Sequence, residues 1–190
     1  MSVDLTHSEL VELFDKMYPG YFSKPWIRSM NPDYVYDEMI LDLKTFSPDA
    51  HFVPAPDGIV YGMYDGDPDK LRESVGLVDE DWVKYYGRPG HAYVALDGDR
   101  VVSFCDVSDF GTHTLSGSGR VLKMGGPGCV GTIPEYRRKG IGLKMVLGAT
   151  AVLKERGFDY SFIHYTGVGP WYSKLGYETV LRWNSRGFVD

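Results

Sequence analysis

The residues best suited to chemistry lie in one run, Thr132-Ile133-Pro134-Glu135-Tyr136-Arg137-Arg138-Lys139-Gly140-Ile141-Gly142. Three consecutive cations precede two glycines, at the point where strand-like sequence gives way to an amphipathic helical pattern. Glycines at such a junction let the backbone approach a ligand closely. The first turn of the following helix offers N–H groups without intrahelical acceptors and a partial positive charge. With Arg137, Arg138 and Lys139 beside them, these groups make a site for a phosphate or pyrophosphate. The spacing is wrong for a Walker A loop, which closes on Gly-Lys-Ser/Thr, and for the dinucleotide fingerprint, which needs three spaced glycines. The histidines at 7, 51, 91, 113 and 164 show no metal-ligand spacing, so no metal is expected. Cys105 and Cys129 are too few for a disulfide-stapled scaffold and are expected to be reduced.

The flanking elements position this run. Val121 to Met124 and Gly128 to Ile133 read as strand, with a break at Gly125-Gly126-Pro127. Gly140 to Arg156 reads as a helix with Met145, Val146, Ala149, Val152 and Leu153 on one face and Gly157 as its stop. Tyr160 to Tyr165 is apolar on both faces and predicts a buried strand. A short helix over Pro170 to Leu175 and a last strand over Glu178 to Trp183 follow. Upstream, His91 to Leu96 and Val101 to Val107 predict a hairpin turned at Asp97-Gly98-Asp99, and residues 108–120 read as a loop.

The first helix is announced by a capping box, Thr6-His7-Ser8-Glu9, with Leu10, Leu13, Phe14 and Met17 on one face and Pro19-Gly20 as the stop. Asn31-Pro32 predicts a second helix carrying Tyr34, Met39, Ile40 and Leu43. Between Ser47 and Pro89, Ile59 to Tyr64 reads as a strand, and Asp67-Pro68-Asp69 and Asp79-Glu80-Asp81 as starts of short helices.

Composition bounds the function classes. The 190 residues are 43% hydrophobic and 24% charged, globular proportions that exclude a disordered or fibrous protein. The net charge of −6 argues against a nucleic-acid partner, whose affinity would need a basic surface. No apolar run reaches the roughly 18 residues of a membrane span, and the first residues, Met-Ser-Val-Asp-Leu-Thr-His, lack the pattern of a secretion signal. The expectation is one cytoplasmic domain over residues 1–190, with no membrane partner; a homodimer stays open.

At the basic run the sequence resembles the GNAT acyltransferase superfamily. Arg137-Arg138-Lys139-Gly140-Ile141-Gly142 matches its Arg/Gln-x-x-Gly-x-Gly/Ala acyl-coenzyme A signature, and Trp171-Tyr172-Ser173-Lys174-Leu175-Gly176-Tyr177 looks like its aromatic-Tyr-x-x-Leu-Gly-aromatic landmark. The likeness covers residues 91–183 and implies an α/β fold: a mixed, mostly antiparallel, splayed sheet with helices on both faces. Residues 1–90 would be the variable part that shapes the acceptor site. The implied reaction is transfer of an acetyl group from acetyl-CoA to the amine of a small molecule, by direct attack. Pyrophosphate would sit on N–H groups from Arg138 through Lys139, Gly140, Ile141 and Gly142 to Leu143. Pantetheine would pair with main chain near Thr132 and Ile133, where that strand should splay from the one at His164 and Tyr165. Tyr172 matches the tyrosine that protonates the leaving thiolate.

One departure matters. Many members carry a glutamate as general base on the fourth strand, which here reads Gly128-Cys129-Val130-Gly131-Thr132. Asp106 and His164 are the candidates for that role. Direct transfer needs no covalent enzyme intermediate, so Cys129 reads as a small buried residue. The alternatives are an acyl-CoA-binding module without chemistry, a longer acyl donor, or a protein acceptor.

Overall fold

The computed structural model describes residues 3–87 and 90–189. Met1, Ser2 and Pro89, which the readings above touch, lie outside the described residues. Two compact units emerge: one takes the chain up to Phe46 with Asp109–Gly125 and Gly157 onward, the other Ser47–Ser108 with Gly126–Arg156.

In the first unit, α1 (His7–Met17) begins as its capping box requires. Thr6 Oγ1 accepts from the Glu9 N–H at 3.3 Å, and the Glu9 carboxylate accepts from the Thr6 N–H at 2.9 Å. Two orphan donors are thereby satisfied. Gly20, at φ 66°, leads into a 3₁₀ turn over Tyr21–Ser23, and the short α2 (Pro25–Arg28) follows. The apolar face of α1, Leu10, Leu13 and Phe14, buries against Ile40, Leu115, Leu122, Met124, Phe162, Leu181 and Trp183.

The segment expected to be a second helix is instead strand β1 (Tyr36–Asp42), antiparallel to β6 (Tyr160–Thr166) on one side and β7 (Glu178–Asn184) on the other. Its burial fits a strand covered on both faces: Glu38, Met39, Ile40 and Leu41 are buried consecutively, between the two paired neighbours. A short edge strand, β8 (Gly187–Val189), unforeseen in the sequence, pairs with β7. A parallel pairing joins β6 to β5 (Val121–Thr132) at Met124↔Tyr160 and Gly125↔Ser161.

The second unit holds β2 (Ile59–Met63), β3 (Ala92–Asp97) and β4 (Arg100–Thr114), paired antiparallel in sequence order. The hairpin turns at Gly98, φ 60°, as predicted. Strand β4 runs seven residues past the expected Val107, so much of the predicted loop is strand. The predicted break at Gly125-Gly126-Pro127 is absent; β5 continues through it, and the irregular residue is Cys129, at φ 47°. Helix α3 (Pro68–Gly76) is capped by Asp67, whose side chain accepts from Asp69 N–H at 2.9 Å. It buries Leu71 and Val75 against Val94, Val101 and Phe104. Helix α4 (Ile141–Glu155) lies on β2 and β3. The sheet is mixed and mostly antiparallel, and among the described residues no helix is long and apolar enough to cross a membrane.

Candidate functional site

In the second unit, β5 ends at Thr132 and a 3₁₀ turn over Pro134–Tyr136 carries the chain to the basic triplet. Arg138, at φ 62°, and Gly140, at φ 81°, then adopt left-handed backbone, which swings the chain into α4. Among the described residues no side chain caps α4, so the N–H groups of its first turn have neither a capping oxygen nor an intrahelical acceptor there. Gly140 is required twice over. Its φ suits glycine, and a Cβ there would overlap the carbonyl oxygen of Pro54. The Pro54 peptide backs this loop, a contact nothing in the sequence signalled.

The cations around the loop differ in their duties. Arg137 turns back on its own strand and donates from Nε to the Thr132 carbonyl at 2.9 Å. Lys139 Nζ lies 4.9 Å from the Tyr136 ring centroid, and the Tyr136 hydroxyl donates to Asp97 at 2.6 Å. Arg138 and Lys139 are exposed. An uncapped helix start, two left-handed residues and exposed cations together fit a pyrophosphate-bearing ligand. Beside them, Ser103 Oγ lies 2.8 Å from both the Gly131 carbonyl and Thr132 Oγ1. Ile133 is buried, and its N–H donates to the Val102 carbonyl.

Asp106 is half-buried on β4 and accepts from Ser108 Oγ. Cys129 is half-buried, and burial followed by the Asp106 charge pushes its thiol up to about 11. A protonated thiol is a poor nucleophile; the residue itself is only partly buried, where the sequence reading expected a buried one. The Tyr86 hydroxyl donates to the Cys129 carbonyl at 2.6 Å and holds that residue's irregular backbone in place. Burial and the nearby thiols raise the Tyr86 phenol well above its usual value.

In the first unit, His164 on β6 meets a residue that the sequence reading missed. Its Nδ1 lies 2.9 and 3.0 Å from the two carboxylate oxygens of Glu38 on β1. Glu38 is fully buried. Its Oε1 also accepts from the Trp183 indole N–H at 2.6 Å and the Tyr165 N–H at 3.2 Å. Tyr18 stacks on the imidazole at 3.9 Å, and Tyr21 meets it edge-on at 4.9 Å. Burial, and then the Glu38 charge, raise both phenols far above their usual value. The Tyr21 hydroxyl is buried with no hydrogen-bond partner among the described residues. Reading β1 as a helix hid Glu38; the available signal was an acid directly against the apolar run Met39-Ile40-Leu41.

Tyr172 is in the first unit too, on α5 (Gly169–Tyr172), and is 6% exposed with its ring edge-on to Tyr177 at 6.0 Å. The Tyr177 hydroxyl is 2.6 Å from Ser161 Oγ. His164 and Tyr172 thus belong to one unit, and Asp106 and the basic loop to the other. Among the described residues no group of three His, Cys, Asp or Glu side chains could hold a metal ion.

The model of the acetyltransferase (GNAT) domain family matches residues 61–180, most of the chain, beginning upstream of the stretch its motifs span. Among solved structures, a glucosamine N-acetyltransferase region of a fungal multi-domain GH3 β-N-acetylglucosaminidase is similar over 95% of this chain and 23% of that one, at 23% identity and TM-score 0.64. A GCN5-related N-acetyltransferase from Sphaerobacter thermophilus is similar over 84% of this chain and 54% of that one, at 17% identity and TM-score 0.55. One from Kribbella flavida is similar over 85% and 60%, at 20% identity and TM-score 0.51. This chain therefore spans less than two thirds of each of these structures, and at such identities the likeness is one of fold. No curated protein sequence matches the chain.

Proposed function

This chain belongs to the GNAT acetyltransferases, and we propose that it moves an acetyl group from acetyl-CoA to the primary amine of a small acceptor in the cytoplasm. Acyl transfer is the family's chemistry; the donor, the acceptor and the residue roles are our reading. The observation that carries it is the uncapped start of α4 behind the left-handed Arg138 and Gly140. Acetyl-CoA supplies an acyl carbon already activated as a thioester. Arg138, Lys139 and the N–H groups through Gly140, Ile141, Gly142 and Leu143 would hold its pyrophosphate, with Arg137 bracing the loop from Thr132. Main-chain groups at Thr132 and Ile133 would align the pantetheine arm.

Of the two candidate bases, His164 is better supported than Asp106. Its imidazole is held by a buried carboxylate at one nitrogen while its side chain remains 21% exposed. In this reading His164 Nε2 takes the proton that the amine loses as the C–N bond forms. Tyr172 gives a proton to the sulfur as the C–S bond breaks and recovers one from solvent, to which His164 releases the proton it took. The amine's lost proton and the thiol's gained proton balance. Positioning and polarisation of the acyl group would carry most of the rate.

Calorimetry of acetyl-CoA binding tests the site. Gly142→Asp puts a side chain and a negative charge at the proposed pyrophosphate position and should weaken binding at least ~10-fold, about 1.4 kcal/mol. A folded variant with unchanged affinity would remove the assignment. The acceptor is sought by following thiol release over a panel of amines. Amino sugars go first, because one fold neighbour is a glucosamine N-acetyltransferase region.

A further inference from the structure

We propose that Glu38 is a positioning residue that fixes His164 as the Nδ1–H tautomer and so leaves Nε2 as the proton-accepting nitrogen. The inference deepens the proposed role of His164 and rests on it for its catalytic meaning, but not for its tautomeric content. Glu38 accepts at three places: the Trp183 indole, the Tyr165 backbone N–H and His164 Nδ1. The first two can only donate. Both converge on Oε1, at 2.6 and 3.2 Å; His164 Nδ1 lies 2.9 Å from that oxygen and 3.0 Å from Oε2, for which it is the one partner among the described residues.

A fully buried carboxyl facing these partners is best served as an ionised acceptor, with a proton on Nδ1 to complete the set. The imidazole then has one protonated nitrogen turned inward and one unprotonated nitrogen. Tyr18 and Tyr21, from the end of α1 and the turn beyond it, bound the ring on its flanks, and Tyr165 follows it on β6 at 6.2 Å. None of these phenols adds a positive charge, and burial with the Glu38 charge holds Tyr18 and Tyr21 neutral. When His164 receives the amine's proton at Nε2, the imidazolium forms against an existing carboxylate, and its charge is compensated within the unit.

The asymmetry of the two carboxylate oxygens makes the test sharp. In Glu38→Gln, the two obligatory donors require the amide oxygen at the Oε1 position. The amide nitrogen then replaces Oε2, 3.0 Å from His164 Nδ1, and offers a hydrogen where the carboxylate offered a lone pair. The amide oxygen also lies 2.9 Å from Nδ1, but its two lone pairs are taken by the Trp183 and Tyr165 N–H groups. An unprotonated Nδ1 facing the amide hydrogen is therefore favoured, and the ring should switch to the Nε2–H tautomer and lose its accepting nitrogen.

Long-range ¹⁵N–¹H NMR of the imidazole nitrogens reads this directly, with His164→Gln used to assign the signal. In the unmodified protein above the imidazole's titration, neutral His164 should carry its proton on Nδ1. Observation of the Nε2–H form there would overturn the proposal without any variant. Glu38→Gln should show the switched tautomer and, with an acceptor in hand, kcat lowered about 10²-fold at unchanged acetyl-CoA affinity. A folded Glu38→Gln protein that keeps the Nδ1–H form would also overturn it. A switched tautomer with full kcat would uphold the positioning by Glu38 and remove His164 from the reaction, so the two readings fail separately.

Discussion

Tyr172 and Cys129 divide the question of chemistry at the residue scale. Tyr172 sits on a four-residue helix, nearly buried, its ring packed on Tyr177. Loss of its hydroxyl leaves that packing in place. Tyr172→Phe should lower kcat by about 10²-fold, the usual reach of general-acid catalysis, with little change in the KM for acetyl-CoA. Full kcat across the pH range would reduce Tyr172 to packing. Cys129 invites the opposite expectation, since burial raises its thiol to about 11. A Cys129→Ala protein should keep most of its turnover in a thiol-release assay, and complete loss with acetyl-CoA still bound would bring a covalent route back. His164 and Tyr172 were legible from the sequence as candidates. Glu38 was not, because its partners come from β6 and β7, more than 120 residues downstream.

Elements with local signals were legible, and those set by distant partners were not. The Thr6–Glu9 capping box, the Asp67 cap and the Gly98 turn each depend on atoms within three residues, and each is where the sequence places it. Residues 31–43 misled for the complementary reason. Asn31-Pro32 imitates a helix start, and the Asn31 side chain does accept from Asp33 N–H at 3.0 Å, but the chain continues into β1 between β6 and β7. Strand β4 outlasts Val107 because pairing overrides the low strand propensity of its Gly, Ser and Asp residues. The start of α4 was read correctly as a glycine-opened junction, while the Pro54 carbonyl behind it could not be. That contact has a measurable cost. Gly140→Ala combines left-handed backbone, about 1–2 kcal/mol for a residue with a Cβ, with the overlap against Pro54. Its denaturant midpoint should fall accordingly and its acetyl-CoA affinity should weaken. A variant as stable and as tight as the parent would mean the segment at Pro54 yields freely.

At the scale of the whole molecule, folding stability should carry an acid limb that begins at α1. Glu12 accepts from Lys16 Nζ at 2.8 Å and from the Ser116 hydroxyl and N–H, each at 2.7 Å, which ties α1 to the β4–β5 turn. These donors, Lys16 first, hold its carboxyl down to about 2. A carboxylate depressed in the folded state stabilises fully above its unfolded value, about 4.3, and loses that contribution as pH falls toward about 2. Glu12→Gln should therefore cost more stability at pH 7 than near pH 2, read from denaturant midpoints; an equal cost at both would deny the linkage. The buried pair behind α1 has an optical consequence as well. Trp183 is fully buried, hydrogen-bonded to Glu38, and parallel to the His164 ring at 6.5 Å and 22°. An imidazolium quenches a neighbouring excited indole by accepting its electron, and a neutral imidazole does so far less. With Trp26, Trp82 and Trp171 replaced by phenylalanine, the remaining emission would dim when His164 gains a proton, and the protein would report the charge of that ring in light, without a dye.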